Sequence, residues 1–372
     1  MFNLLSATFA SVMTTIGYIG IAVLAIMAMV VVHELGHYLA GKLLGFKILE
    51  FNVGFGPPIF KRVSKKTGEI FAIRPIPLGG SCVFEEEDGE SKSPTAFNNQ
   101  ASWKRLIVLF SGAFFNLIAA LIVITFVFTF QGQILPTVDN LIPNAEGGYS
   151  TLQKGDAFLS VNGKQVNILL ADDYTRLFSN TGDTITVKVL RGGKAVSLTL
   201  NKTDIQVGRY DESGNFIPEL NEDGEVKTYV GFGFQNGLSY VKLNFFRAFA
   251  RSFSFMFFLV FKILSILGSL LTGKLGVENA GGPITTINVL SQSVSGGLGI
   301  LMYTVCIISA NLAVMNLLPI PALDGARMVF CTIEWIFKKP IKKSVEAVIH
   351  LSGFFLMIML AILLDVMHFM RN

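Results

Sequence analysis

The segment from Leu106 to Phe130 carries no formal charge. As a helix rising 1.5 Å per residue it outreaches the roughly 30 Å hydrocarbon core of a bilayer. In hydrocarbon every backbone N–H and C=O must be satisfied within the protein, so a lone segment of this kind has to be a helix. Three more segments come close to or exceed the roughly 20 mostly apolar residues that a span needs. They are Ile16 to Leu44, a stretch starting near Leu298 within the uncharged run Pro283–Leu323, and Ala347 to Leu364, whose one ionisable residue is His350. The expected architecture is a membrane α-helical bundle of four transmembrane helices. Composition agrees: 51% of the 372 residues are hydrophobic and 15% are charged. The net charge of +4 comes without a long basic run, so nucleic acid is not an expected partner. Leu4 to Val32 lacks both charge and a basic leader region, and it reads as a retained span rather than a signal peptide.

A fifth apolar stretch, 243–272, contains Arg247, Arg251 and Lys262. At 100° per residue these fall within about 60° of one another, a basic stripe that suits a helix lying in the membrane interface. Basic residues in short loops set orientation. Lys47, Lys61, Arg62, Lys65, Lys66, Arg74, Lys104 and Arg105 follow the first span, and Arg327, Lys338, Lys339, Lys342 and Lys343 follow the third. Both loops are expected in the cytoplasm, the acidic cluster Glu85–Glu90 weighing little. The segment between spans two and three is polar. Thr184–Leu190 and Ala195–Leu200 alternate like strands around an Arg191–Lys194 turn, and 204–227 reads as a loose hairpin or loop insertion. Four regions follow: 1–131 with the first two spans, 132–238 as an extracytoplasmic β-rich domain, 239–282 as interfacial helix and linker, and 283–372 with the last two spans.

His33, Glu34 and His37 stand in HELGH, on the first apolar helix. Histidines at i and i+4 share a helix face one turn apart, as two ligands of one metal require, and the glutamate beside them can reach metal-bound water as general base. Zinc lowers the pKa of its bound water to about 7. Ionisable groups inside a membrane helix are costly, and three within five residues point to function rather than packing. A third ligand is needed. The isolated His350 and His368 read as a buried polar contact and an exposed terminal residue. Asp324, closing Asn316–Gly325 (NLLPIPALDG), is the better candidate, because Pro319 and Pro321 interrupt the helix where irregular backbone is tolerated only in a cavity or buried in protein. The first and third spans run in the same direction, which brings HELGH and Asp324 to one side. A complete crossing by 243–272 would separate them. Cys82, Cys306 and Cys331 match no zinc-ligand spacing and no disulfide framework.

In these motifs the chain resembles the site-2 protease family of intramembrane zinc metalloproteases, in particular the bacterial branch with a single PDZ domain. HELGH (33–37) and NLLPIPALDG (316–325) carry the resemblance. Supporting it are GFGP (54–57), PLGG (77–80), Gly112 with Asn116, GGP (281–283) and LQKGDAFLSVNG (152–163). The resemblance implies zinc held by His33, His37 and Asp324, with Glu34 as catalytic base. It implies substrate contacts from Asn316, from Pro319 and Pro321 of the same loop, and from a membrane-associated β element around Gly79 and Gly80. It also implies a PDZ-like domain that filters substrates by size or docks a C-terminus. The expected substrates are single-pass membrane proteins, such as anti-sigma factors or signal-peptide remnants, cut within the bilayer of a bacterial inner membrane. The chain departs from the family where Ala113 follows Gly112 and where Ser81-Cys82 follows the glycine pair.

Overall fold

The computed structural model describes residues 2–85, 93–179, 181–276, 280–339 and 341–371. Residues 86–90 of the acidic cluster, and the side chain of Lys343, lie outside what it describes. In chain order the elements begin with α1 (Phe2–Leu44), β1 (Ile48–Phe55), β2 (Phe60–Val63), β3 (Ile70–Ile73), β4 (Ile76–Phe84) and α2 (Ser102–Phe130). A β-rich region follows: β5 (Gln133–Leu141), β6 (Ala157–Val161), β7 (Lys164–Gln165), α3 (Ala171–Ser179), β8 (Thr184–Arg191), β9 (Lys194–Asn201), β10 (Thr203–Gln206), β11 (Gly208–Tyr210), β12 (Phe216–Pro218), β13 (Thr228–Gly231) and β14 (Phe234–Val241). The chain ends in α4 (Phe245–Leu271), α5 (Pro283–Ser295), α6 (Leu298–Leu317), α7 (Asp324–Phe337) and α8 (Lys343–Arg371). Among the described residues five helices are long and apolar enough to cross a membrane: those at 11–44, 102–130, 245–271, 298–317 and 344–370. Four are the expected spans. The fifth is α4, which the basic stripe had set aside.

Two compact units form, residues 1–124 with 259–372, and residues 125–258. In the first unit, α1 stops at Gly45, whose φ of +80° suits glycine. Gly45 N–H bonds to Lys42 O and Phe46 N–H to Gly41 O, the paired bonds of a Schellman cap. Phe46 then packs against Phe84 and Phe97. This stop turns the chain straight into a sheet of order β2-β3-β1-β4, with β1 parallel to β3 and antiparallel to β4. The β element that the resemblance implies around Gly79 and Gly80 is thus part of a four-stranded sheet that starts at Ile48, with β4 at one edge.

On the other side of α1, Ala22 and Met29 share a buried cluster with Leu290 of α5 and Leu301 of α6. Further along, Asn316 at the end of α6 lines a cavity with His33 and Glu34. The first helix and α6 therefore advance in the same direction. Asp365 of α8, one residue beyond the segment taken as the fourth span, is 5% exposed. Its carboxylate accepts the N–H groups of Ile284 and Thr285, each at 3.0 Å, and so caps the N-terminus of α5. A Cβ on Gly282 would press into this carboxylate at 2.6 Å, which explains the glycine before Pro283. Asp365→Ala should destabilise the protein by about 1–2 kcal/mol, the usual cost of losing a cap, measured as a shift in thermal midpoint in detergent. An unchanged midpoint would remove the capping role.

The second unit is built on the sheet β14-β5-β6-β8-β9, with β7 paired to β6. Strands β8 and β9 form the expected hairpin, with Gly192 and Gly193 at φ of +54° and +80° in its turn. The insertion is more ordered than a loose loop: β10 pairs with β13, and β11 with β12 between them. The unit also takes in the end of α2 and the first half of α4, reaching past 132–238 at both ends. Arg251 of α4 is 5% exposed. Its guanidinium donates to Gln133 Oε1, Leu159 O (3.0 Å) and Val166 O, while Arg247 donates to Gly193 O at 3.2 Å. Two of the three cations in the basic stripe are therefore spent on the β-rich unit rather than presented to lipid.

Candidate metal centre

The two histidines of α1 meet one aspartate from the start of α7. His33 Nε2 lies 3.0 Å from Asp324 Oδ2, His37 Nε2 lies 3.3 Å from the same oxygen, and the two nitrogens are 3.1 Å apart. Among the described residues this is the one group of three or more His, Cys, Asp or Glu side chains that could hold a metal ion. Zinc bonds to nitrogen and oxygen are roughly 2.0–2.2 Å, so tetrahedral ligands stand about 3.3 Å from one another. The observed spacings are close to that. The tautomer also fits. His37 Nδ1 donates to Val108 O at 2.8 Å, which leaves the lone pair of Nε2 facing the cluster. Two imidazole nitrogens and a carboxylate are a donor set that suits zinc. The three cysteines are free, and none belongs to the cluster.

Backbone packing makes the room. Gly36 sits against Ser111, and an added Cβ would meet Ser111 C at 2.8 Å. Gly112 lies directly beneath the histidine rings, where a Cβ would stand 2.7 Å from both Cε1 and Nε2 of His33. The Gly112–Asn116 pair could have been ordinary helix packing. At Gly112 the structure instead gives the missing side chain a purpose at the centre itself.

Asp324 is delivered by a non-helical loop. Leu318 is extended, Ala322 has a φ of +74°, and α7 begins at Asp324. A left-handed alanine costs roughly 1 kcal/mol or more and needs support. That support comes from α8. His350 Nδ1 accepts the Ala322 N–H at 2.9 Å, and Gly353 leaves space for Pro321. A buried ion pair, Arg105 Nη1 to Glu334 Oε2 at 2.8 Å, anchors α7 to α2. His350 is thus a polar contact, only partly buried rather than fully buried as expected, and it positions a residue of the centre. His350→Leu should lower zinc affinity about tenfold, the lower end for loss of a supporting contact. Adding Ala322→Gly should recover part of the loss, because glycine holds the loop conformation unaided. Zinc titration of the two variants checks both expectations, and identical affinity in wild type and His350→Leu would refute them.

Glu34 points to the other side of the histidine pair. Its Oε2 accepts the N–H of Cys82 on β4 at 2.9 Å. Gly80 lies alongside: a Cβ there would come within 3.4 Å of Glu34 Cγ and 2.8 Å of Asn52 O. The catalytic-base candidate is therefore fixed against a sheet edge. A cleft of about 550 Å³ runs here, lined by His33, Glu34, His37, Ser81, Cys82 and Asp324 among others. Arg327, read from sequence only as a loop cation, also lines it. A second cavity of about 230 Å³ shares His33, Glu34 and Asp324 and adds Asn116 and Asn316. Of the residues expected to contact substrate, Asn316 and Gly80 lie at the site. Gly79, with φ of +137°, faces the Phe55 ring instead. Pro319 and Pro321 belong to the loop that carries Asp324. Two contributors are main-chain groups, Cys82 N–H and Val108 C=O, and no side-chain motif announces them.

Comparison with known proteins agrees with this chemistry. The model described as Peptidase family M50 matches residues 21–360. A Clostridium perfringens protein is 29% identical over 355 residues, covering 94% of this chain and 97% of its own length. One from Fusobacterium nucleatum is 30% identical over 352 residues, 93% of this chain and 96% of its own. A Campylobacter jejuni relative is 28% identical over 354 residues, covering 93% and 90%. All three carry the name "Putative zinc metalloprotease". With the family model spanning nearly the whole sequence, the chain belongs to peptidase family M50, the site-2 proteases, and is a zinc metalloprotease of multi-pass membrane character.

Proposed function

We propose that this protease hydrolyses peptide bonds inside the bilayer, in the spans of single-pass membrane proteins or signal-peptide remnants, as part of regulated intramembrane proteolysis. The observation that carries the reading is the position of Glu34: within a long apolar helix, beside the three-donor cluster, and hydrogen-bonded to an edge strand. His33, His37 and Asp324 would hold the zinc. When bound, zinc supplies a water acidic enough to ionise near neutral pH. Glu34 would take a proton from the attacking water and return it to the leaving amine, so that one C–N bond breaks as one C–O bond forms. A helical substrate shields its carbonyls with its own hydrogen bonds and must first unwind. The extended segment would then pair with β4 near Gly80 and Cys82 as an added strand.

The loop charges favour a bacterial inner membrane with the centre toward the cytoplasm and a PDZ-like β-rich domain outside. The direction shared by α1 and α6 demands an even number of crossings between α2 and α6. With 13 residues, α5 reaches about 20 Å, short of a bilayer. An interfacial α4 and four true spans satisfy that parity, although the length of α4 alone would allow a fifth.

Purified full-length protein in detergent should carry one zinc per chain and cut a model single-span peptide within its apolar segment. Chelation should abolish cleavage, and added zinc should restore it. Cuts confined to soluble flanks of the peptide would sink the intramembrane reading. Zinc binding without any cleavage would favour a metal transporter or sensor, and neither zinc nor cleavage would favour a scaffold.

A further inference from the structure

Val108, Gly112 and Asn116 lie on one line of α2, four residues apart. The first gives its carbonyl to His37 and the second gives space beneath the histidines. Asn116 is 1% exposed, and neither Nδ2 nor Oδ1 has a hydrogen-bond partner among the described residues. Its main-chain carbonyl is occupied, accepting Ser309 Oγ at 3.0 Å, which ties α2 to α6. The unpaired amide instead lines the 230 Å³ cavity with His33, Glu34 and Asn316. Burying both a donor and an acceptor unpaired is unfavourable, and an apolar residue of similar shape would avoid the penalty. Packing alone therefore gives no reason for asparagine at this position. A ligand that supplies both an acceptor and a donor does, and a peptide main chain carries both groups in alternation.

We propose that Asn116 is a substrate-binding residue that clasps the main chain of the unwound substrate. Nδ2 donates to a substrate carbonyl and Oδ1 accepts a substrate N–H, next to the scissile bond and on the Asn316 side of the centre. This rests on the proteolytic reading above. The β4-lined cleft and the asparagine-lined cavity share His33, Glu34 and Asp324, so a strand passing through both crosses the centre. Asn116 and Asn316 project from different helices, α2 and α6, and would grip that strand where no sheet edge is available.

The test pairs variants with backbone-edited substrates. In a model single-span peptide, each main-chain N–H within three residues of the scissile bond is replaced in turn by an ester oxygen. Wild-type enzyme should lose about tenfold in kcat/KM at one such position, the equivalent of one hydrogen bond of about 1.4 kcal/mol. Asn116→Ala and Asn116→Leu should lose tenfold or more on the all-amide peptide and show no further loss with that ester. Both should keep their zinc, and the thermal midpoint of Asn116→Leu should be unchanged or higher, because it removes unpaired groups. Ester effects of equal size in wild type and both variants at every position would overturn the proposal and leave the cavity to water. A drop in the thermal midpoint of Asn116→Leu would likewise overturn it in favour of a structural amide. If wild type cuts no span at all, the proteolytic reading fails first and takes this proposal with it.

Discussion

Gly112→Ala should leave the protein folded and strip zinc from it, weakening zinc binding at least a hundredfold. The added methyl would enter the ring of donor atoms itself, 2.7 Å from His33 Nε2 and nearer still to His37 Nε2. Relaxation is restricted on both sides. His37 is tied through Nδ1 to Val108, on the same helix as Gly112, so the ring cannot retreat without losing that bond. Gly36 already brings α1 into contact with the backbone at Ser111 and Gly112. Loss of an outer partner of a ligand typically costs 10- to 100-fold in metal affinity, and obstruction of the metal's own position should cost more. Gly36→Ala is the informative comparison. Its methyl meets backbone rather than donor atoms, so it should lower the thermal midpoint more than Gly112→Ala does. Zinc content by atomic emission, together with thermal unfolding in detergent, separates the two. Stoichiometric zinc in purified Gly112→Ala would show that the space above Gly112 is not where the metal sits.

What the amino-acid sequence disclosed, and what it hid, follows physical lines. HELGH and the broken helix before Asp324 were legible because a bilayer makes each ionisable or helix-breaking residue costly. The common direction of α1 and α6 followed from counting spans. The sheet beginning at Ile48 was only half visible, because β1, β2 and β3 alternate weakly and pair across different spacings. Arg251 misled: its place on a basic stripe suggested the membrane interface, yet it satisfies carbonyls within the β-rich unit. Arg105, counted as a loop cation, is half of a buried ion pair. Asp365 lay just outside a span judged by hydropathy, and its partners are 80 and 81 residues away. Local pattern cannot reveal such distant pairings.

Glu34→Gln should abolish peptide cleavage and leave the metal in place. Glutamine keeps the length and polarity of the side chain, and its carbonyl can still accept the Cys82 N–H that now bonds to Glu34 Oε2. The space beside Gly80, where an added Cβ would stand 3.4 Å from Glu34 Cγ, is also unaffected, since the change is confined to the end of the chain. What glutamine cannot do is take a proton from water and pass it on. General-base catalysis contributes roughly 10²–10⁴ in rate, and the same carboxylate is asked to protonate the leaving amine. A fall in kcat of at least 10³ is therefore expected, with KM for a model span nearly unchanged because the substrate contacts assigned to β4, Asn116 and Asn316 remain. Asp324→Asn gives the contrasting result: a weaker donor in the metal's own shell, so zinc content and cleavage fall together. Should Glu34→Gln retain more than a tenth of wild-type turnover with zinc bound, the proton would have to travel by another group. Outside the donor set the same cleft is lined by Arg327, a cation and no substitute base, and by Cys82, whose thiol is the group that a Glu34→Gln, Cys82→Ala double variant would then test.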